Sequence, residues 1–131
     1  MFVDASAIIA IIGNEEDALS LFERASHADT ITVSPIVIYE AKLGLARKKA
    51  CPMDYAEELV DGFAEECRAR IIAIDEDIGR RAIAAFVRYG KGRHEASLNM
   101  GDCFAYACAQ AYDLPLLFKG NDFVHTDVIV A

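Results

Sequence analysis

The sequence has no hydrophobic run long enough to cross a bilayer, no Cys-x-x-Cys pair and only three prolines among its 131 residues. Its longest uncharged apolar stretch, residues 5–13, is far shorter than the roughly 20 residues of a membrane-spanning helix. No basic segment precedes that stretch, as one would in a signal peptide. The four cysteines follow no zinc-ligand spacing, which predicts small buried thiols in a reducing compartment. We therefore expect a soluble cytoplasmic protein with no membrane partner.

Hydrophobic residues make up 54% of the chain and charged residues 26%. That balance excludes intrinsic disorder. A chain of this length can bury enough surface to form a core of its own, and no linker, repeat or low-complexity segment divides it. The sequence therefore predicts one domain over residues 1–131.

The formal net charge of −8 argues at first against a nucleic-acid partner, because phosphates attract basic surfaces. The basic residues are clustered, however, with four in residues 42–49 and five in residues 80–93. An acidic protein can still present local basic surface beside an acidic pocket. The alternative, that both clusters are ordinary solvated helix faces, stays open on the sequence alone.

Short apolar or β-branched segments alternate with helical stretches along the whole chain. We predict strands at residues 1–3, 30–33, 71–74 and 115–118, and a short last strand at residues 128–130. The intervening helices include one that begins at Ser34-Pro35 and one that is capped by Asp75. This alternation is typical of α/β proteins with a central, mainly parallel sheet flanked by helices on both faces. In such sheets the binding crevice lies at the carboxyl ends of the strands.

Four acidic residues follow predicted strands and are candidates for that crevice. Asp4 comes directly after the first strand, and Glu40 lies in the second turn of the helix after the second strand. Asp102 lies in the first turn of the helix that follows the glycine-bearing loop, and Asp122 lies in the loop after the strand at residues 115–118. Four carboxylates at one sheet edge repel one another unless a cation holds them. Hard divalent ions such as Mg²⁺ or Mn²⁺ prefer such oxygen ligands.

Each of these acids also has an ordinary structural interpretation. Asp4 would cap a helix, Asp102 would complement a helix N-terminus, and Asp122 would belong to an Asn-Asp turn. Glu40 shares the apolar stripe of its helix, where an ionised carboxylate is costly without a partner such as an arginine or a backbone amide. Asp75 also lies between a strand and a helix, so position alone does not separate it from Asp4.

Four segments resemble the PIN-domain ribonucleases, and within them the VapC-type toxins of prokaryotic toxin–antitoxin pairs. These are residues 2–7, 38–45, 98–107 and 118–123, which read FVDASA, IYEAKLGL, LNMGDCFAYA and FKGNDF. The four segments stand in the same order and at the expected separations, so the resemblance spans nearly the whole chain. It implies a single PIN-like domain and metal-dependent hydrolysis of RNA phosphodiester bonds.

The same resemblance implies a role for individual residues and for partners. The expected Mg²⁺ or Mn²⁺ ligands are Asp4, Glu40, Asp102 and Asp122, with Ser6 and Asn121 supporting them and Asp127 as a further matching acid. Asp4 and Asp102 match the positions of direct coordination. The implied partners are an RNA substrate, a cognate VapB-type antitoxin and a second copy of the chain. Apolar positions in residues 17–26 and 53–68 would either receive the antitoxin or pack on the chain's own sheet.

The basic loop before Asp102 is a candidate for contact with RNA. Lys91, Arg93 and His94 lie in it beside two glycines that permit close backbone approach, so we predict that they contact substrate phosphates.

Two other classes of function are alternatives to the ribonuclease. A phosphoaspartyl phosphatase would normally carry a second acid two residues after Asp4, where this chain has Ser6, and no receiver-type pattern stands out. The other class is a binding module that keeps the fold without catalysis. RNA cleavage that depends on a divalent cation and on Asp4 and Asp102 would separate the enzyme from both.

Overall fold

A computed structural model describes all residues, 1–131, as six helices around a four-stranded sheet. No helix combines the length and the apolar character needed to cross a membrane. The elements are β1 Phe2–Val3, α1 Ala5–Ile12, α2 Ala18–Ser26, β2 Thr32–Val33, α3 Pro35–Lys49, α4 Met53–Glu66, β3 Arg70–Ile71, α5 Glu76–Tyr89, α6 Met100–Ala111 and β4 Leu116–Leu117.

The strands form one sheet in the order β3-β2-β1-β4, and every neighbouring pair is parallel. Phe2 pairs with Thr32 on one side and with Leu116 on the other, so β1 is central. Because all strands run in one direction, their carboxyl ends meet at one edge. The predicted α/β class and parallel sheet are confirmed.

The central strands are buried on both faces of the sheet. Neighbouring strand residues point to opposite faces, and the adjacent Phe2 and Val3 are both fully buried, as are Leu116 and Leu117. Helices must therefore cover each face. The resulting hydrophobic core joins the inner faces of the helices to the central strands.

Side-chain caps fix where the helices begin, and each cap follows a strand or a loop that leads out of the sheet edge. Ser34 accepts a hydrogen bond from the Val37 amide at 3.2 Å at the start of α3. Asp75 accepts one from the Ile78 amide at 2.9 Å at the start of α5. Such caps satisfy amide groups that have no partner inside the helix. They also hold the first turn of each helix at a set distance from the sheet.

The third strand differs from its prediction. The sequence predicts a buried strand at residues 71–74, but β3 contains Arg70 and Ile71 and both are exposed. The strand lies at the edge of the sheet and pairs with β2 alone. Within residues 71–74 only Ile72 is buried. An apolar run at a sheet edge thus needs only part of its side chains in the core.

The C-terminal segment and the cysteines also differ in part from expectation. Residues 128–130 form no strand, and Val130 makes a single parallel bridge to Leu116. All four cysteines are free thiols, but only Cys103 and Cys108 are buried. Cys51 and Cys67 are half-buried because they lie just beyond the ends of α3 and α4.

Candidate active site

One cleft at the carboxyl edge of the sheet contains all four acids that the sequence singled out. Its volume is about 560 Å³, and Asp4, Glu40, Asp102 and Asp122 line it. The other lining residues are Ala5, Ser6, Ile9, Pro35, Ile36, Tyr39, Leu43, Gly44, Arg47 and Met100. The elements that surround the cleft are α1, α3, α6 and the loop after β4. Residues from both ends of the chain therefore meet in one place.

Asp4 is the most buried of the four acids. It follows β1 directly and caps α1, where its Oδ2 accepts hydrogen bonds from the Ser6 amide at 3.0 Å and the Ser6 hydroxyl at 2.5 Å. The Ser6 oxygen in turn accepts one from the Lys119 amide at 3.0 Å, which ties the loop after β4 to α1. Burial raises the pKa of Asp4. Its capping role and its place in the cleft are thus compatible.

Asp102 is held by a reciprocal pair of hydrogen bonds at the start of α6. The Asn99 amide donates to Asp102 Oδ2 at 3.0 Å, and the Asp102 amide donates to Asn99 Oδ1 at 2.9 Å. This capping box fixes the side chain on the first helical turn. Burial, together with the nearby Asp122 and Asp4 charges, raises the pKa of Asp102 to about 6.

Glu40 reaches the cleft from α3 and lies against α6. Its carboxyl group fills the space that a Cβ on Gly101 would occupy. Burial is the main cause of a rise in the pKa of Glu40 to about 7, and the charges of Asp4 and Asp102 add to it. The carboxyl group has no hydrogen-bonding or ionic partner of its own that would offset this cost. Glu40 thus lies in the cleft as an inward-facing acid on the apolar stripe of α3, without a partner for its charge.

Asp122 and Asn121 belong to the loop after β4 and are both exposed. Asp122 lines the cleft, and Asn121 precedes it at the outside. The loop is fixed on its other side by Phe123, which is buried and packs on Phe118 with ring centroids 5.0 Å apart. The acid is thus presented by a loop that is anchored at both of its ends.

The carboxylates are neighbours, but they do not enclose a cation as they stand. No three His, Cys, Asp or Glu side chains converge closely enough to hold a metal ion. The charge of Asp122 nevertheless raises the pKa of Asp4 and of Asp102, and the charges of Asp4 and Asp102 raise the pKa of Glu40. A divalent cation is the ligand that relieves such repulsion, and carboxylate oxygens suit Mg²⁺ and Mn²⁺. The chemistry of the donor set therefore fits such a cation.

The remaining predicted site residues lie outside this cleft. Asp127 accepts hydrogen bonds from the Tyr106 hydroxyl at 2.6 Å and from Arg88 at 3.0 Å, and it does not line the cleft. The loop containing Lys91, Arg93 and His94 does not line it either.

The basic loop flanks a neighbouring groove instead. Lys91 lines that groove between α5 and α6, and the exposed Met100 lines both the groove and the cleft. The Arg93 guanidinium lies 5.2 Å from the centroid of the Phe86 ring. His94 packs edge-on against Tyr89. Of the three loop residues, Lys91 is therefore the one that lines the groove next to the cleft.

Sequence reasoning missed two large side chains of the cleft. Tyr39 and Arg47 are exposed and line the cleft from α3. Arg47 lies seven residues beyond Glu40, which is two helical turns, so helical spacing from Glu40 would have identified it. Tyr39 is next to Glu40 in the chain, about 100° around the helix, and spacing from Glu40 does not identify it.

Comparison with known proteins adds four relationships. The model of the PIN-domain family matches residues 1–129. The chain is 45% identical over 139 residues to a VapC ribonuclease of Rhizobium meliloti (strain 1021), covering 97% of this chain and 98% of that protein. The structure of Mycobacterium tuberculosis VapC20, a sarcin–ricin loop cleaving toxin, matches with a TM-score of 0.78 at 17% identity, covering 99% and 97% of the two chains. A toxin–antitoxin complex from Klebsiella pneumoniae matches with a TM-score of 0.72 at 23% identity, covering 99% and 95%.

Proposed function

This chain belongs to the PIN-domain family and, within it, to the VapC ribonucleases, and we propose that it hydrolyses RNA phosphodiester bonds internally at the acidic cleft with Mg²⁺ or Mn²⁺. It is a ribonuclease of the toxin type. Residues 1–131 act as one PIN-like nuclease domain. The observation that supports this site best is that Asp4, Glu40, Asp102 and Asp122 line one cleft although they are far apart in the chain.

Asp4 and Asp102 are suited to be the principal ligands. Hydrogen bonds from the protein fix Oδ2 of each carboxylate, which leaves Oδ1 of each to face a cation. Glu40 and Asp122 would complete or orient the coordination sphere, Glu40 from the side of α3 and Asp122 from the loop. Ser6 is a supporting residue, since its hydroxyl holds Asp4, and Asn121 supports Asp122 from the same loop.

A divalent cation would supply an activated water and neutralise charge on the phosphoryl oxygens. The protein's own contribution is to hold its carboxylates in position before substrate arrives. Asp4 and Asp102 are held by caps at the starts of two helices, so their geometry costs little to maintain during reaction. Without a cation the pKa of Glu40 is raised to about 7 and that of Asp102 to about 6, so Glu40 takes up a proton before Asp102 as the pH falls.

The partners are proposed from exposed apolar surface and from the toxin relationship. Leu19 and Phe22 on α2, and Met53 and Tyr55 in the first turn of α4, are large and exposed. We propose that a cognate VapB-type antitoxin covers exposed apolar side chains of these helices, as the Klebsiella pneumoniae neighbour is itself part of a toxin–antitoxin complex. A homodimer and a cytoplasmic location complete the proposal, the latter supported by four free thiols.

Cleavage of a structured RNA by the purified protein tests the function. We expect cleavage with Mg²⁺ or Mn²⁺, none with EDTA, and none in Asp4→Asn or Asp102→Asn. Asp75→Asn is the matched control, because Asp75 also caps a helix after a strand and asparagine caps equally well, but Asp75 is not in the cleft. RNA binding without cleavage by the wild type would indicate a binding module. Cleavage that persists in EDTA would contradict the proposed dependence on a divalent cation.

A further inference from the structure

Arg47 is the only basic residue that lines the acidic cleft. It lies in the last turn of α3, two turns beyond Glu40, and its guanidinium forms no ion pair. Two other cations of the same helix do pair with acids: Lys42 with Asp61 at 2.9 Å and Lys48 with Glu15 at 2.5 Å. The positive charge of Arg47 is therefore free for a ligand.

Arg47 lies well away from Glu40 along the axis of α3. Seven residues of helix separate Arg47 from Glu40, which is about 10 Å along the axis. Leu43 and Gly44 lie between them, and the side chain of Ile9 packs where a Cβ on Gly44 would be. The floor of the cleft between the carboxylates and the guanidinium is thus apolar, and no side chain projects from it at Gly44. An extended polyanion can lie along it without meeting a charged side chain in between.

Tyr39 lines the same cleft, about 12 Å along the axis of α3 from Arg47. Its side chain is 64% exposed, although it is a large aromatic residue, and it borders the cleft beside Glu40. An aromatic ring that borders a nucleic-acid site offers a stacking surface to any base. Tyr39 and Glu40 lie side by side and Arg47 lies two turns beyond them, so α3 brings a row of aromatic, acidic and basic groups to one cleft.

We propose that this row is a binding site for single-stranded RNA, in which Arg47 binds a backbone phosphate next to the bond that is cut and Tyr39 stacks on a base. The inference rests on the proposed ribonuclease function and specifies how its substrate is held. A phosphate that enters a cleft with four carboxylates is repelled unless positive charge accompanies it. The cation offsets that repulsion at the acids, and Arg47 offsets it for the neighbouring nucleotide. A guanidinium is well suited to this, since it can donate two parallel hydrogen bonds to phosphate.

Equilibrium binding of a fluorescent single-stranded RNA, measured over a range of KCl concentrations, tests this site. Every protein in this comparison is the full chain with Asp102→Asn, so that the RNA stays intact, and Mg²⁺ is present throughout. We expect Arg47→Ala to weaken binding about tenfold and to reduce the slope of log Kd against log salt by about 0.7, the value for one lost contact to a single strand. Arg47→Lys keeps the charge and is expected to keep the slope.

Lys49→Ala is the matched control for charge. Lys49 lies in the same turn, is exposed and forms no ion pair, but it does not line the cleft. Its loss should change binding less than twofold and leave the slope unchanged. If Arg47→Ala and Lys49→Ala behave alike, the proposed phosphate contact is wrong.

The aromatic part has its own pair of variants. Tyr39→Ala should weaken binding about tenfold without a change of slope, because stacking carries no charge, and Tyr39→Phe should bind as the wild type does. Equal losses in both variants would overturn the stacking role. In the active protein, which keeps Asp102, Arg47→Ala should raise KM with kcat nearly unchanged. If the wild type cuts RNA but Arg47→Ala resembles the control, only this inference fails; if it neither cuts nor binds RNA, the proposed function fails as well.

Discussion

The carboxyl group of Glu40 occupies the space beside Gly101 where any other residue would place its Cβ. Gly101 lies in the first turn of α6 and is directly followed by Asp102. Two acids from different helices thus approach each other because one position between them has no side chain. The close packing of α3 against α6 at this point is a requirement of the site as well as of the core.

Gly101→Ala is therefore expected to displace Glu40 and lower the cleavage rate, on the order of 100-fold for a misplacement of about 1 Å. The free energy of unfolding should change by less than about 1 kcal/mol, since alanine favours the helix and the displaced carboxyl end is flexible. RNA cleavage and thermal unfolding of the same preparation measure the two effects.

Gly62→Ala is the control for this change. Gly62 lies within α4, and a Cβ there would contact nothing within 4 Å. That variant should cut RNA as the wild type does and gain about 0.5–1 kcal/mol in stability. A Gly101→Ala protein that cuts RNA at the wild-type rate would show that the position of Glu40 is unimportant.

The meeting of the four acids followed from topology and was predictable. Parallel strands end at one edge, so Asp4 after β1 and Asp122 after β4 had to lie near each other once β1 and β4 were neighbours. Glu40 and Asp102 needed a further argument, because they are on helices. The apolar stripe around Glu40 indicated that it faces inward, but the contact with Gly101 depends on how α3 and α6 pack, which no local pattern contains.

Asp127, which the resemblance singles out as a further matching acid, does not line the cleft. It follows Asp122 by five residues, and the buried Phe123 lies between them. Asp127 ends beside Arg88 on α5 and Tyr106 on α6. The exposure of β3 was missed for a similar reason, since the pattern Ile-Ile-Ala-Ile does not reveal that its strand lies at an edge. Such outcomes depend on which elements become neighbours.

The stability of the metal-free protein should fall as the pH rises. Burial and neighbouring carboxylates raise the pKa of Glu40 from 4.5 to about 7 and that of Asp102 from 3.8 to about 6. At a pH between the lower and the raised pKa of each group, the folded protein keeps a proton that the unfolded chain has released. Raising the pH through this range removes that proton and lowers the free energy of unfolding. We expect a lower Tm at pH 8 than at pH 5 in EDTA.

Metal and mutation should both weaken this dependence of the Tm on pH. Mg²⁺ or Mn²⁺ should raise the Tm more at pH 8 than at pH 5, because protons compete with the cation for the same oxygens. Glu40→Gln cannot ionise, so it should flatten the pH dependence in EDTA, whereas Glu58→Gln, at an exposed position of α4, should leave it unchanged. Identical pH profiles for the wild type and Glu40→Gln would contradict the raised pKa of Glu40.

Lys91 and Arg93 are expected to extend the RNA contact beyond the cleft. Both are exposed and form no ion pair, and the groove that Lys91 lines meets the cleft at Met100. Replacing both with alanine should weaken RNA binding and reduce the salt slope by about 1.4, or about 0.7 for each lost contact.

The double variant of Arg80 and Arg81 to alanine is the control for that charge change. These arginines belong to the same basic cluster but pair with Glu76 and Asp77 one turn earlier on α5. Their removal should leave the slope near that of the wild type. A slope that does not differ between the two double variants would exclude the loop from RNA binding.

The hydrogen bond between Tyr106 and Asp127 should stabilise the fold without taking part in cleavage. The partly buried Tyr106 hydroxyl donates to Asp127 Oδ1 at 2.6 Å, and this bond lowers the pKa of Asp127. Arg88 also donates to Asp127, but both of those side chains are more than half exposed, so that pair should contribute little. Asp127→Ala is therefore expected to lower the free energy of unfolding by about 1–2 kcal/mol.

A double-mutant cycle of Asp127→Ala and Tyr106→Phe should yield a coupling of about 1 kcal/mol in urea unfolding. The parallel cycle of Asp127→Ala with Arg88→Ala should show almost no coupling. Because Asp127 does not line the acidic cleft, its alanine variant should cut RNA at nearly the wild-type rate at a temperature where it is folded. A folded Asp127→Ala protein without activity would mean that this acid acts in catalysis, and that its bonds to α5 and α6 are broken when substrate binds.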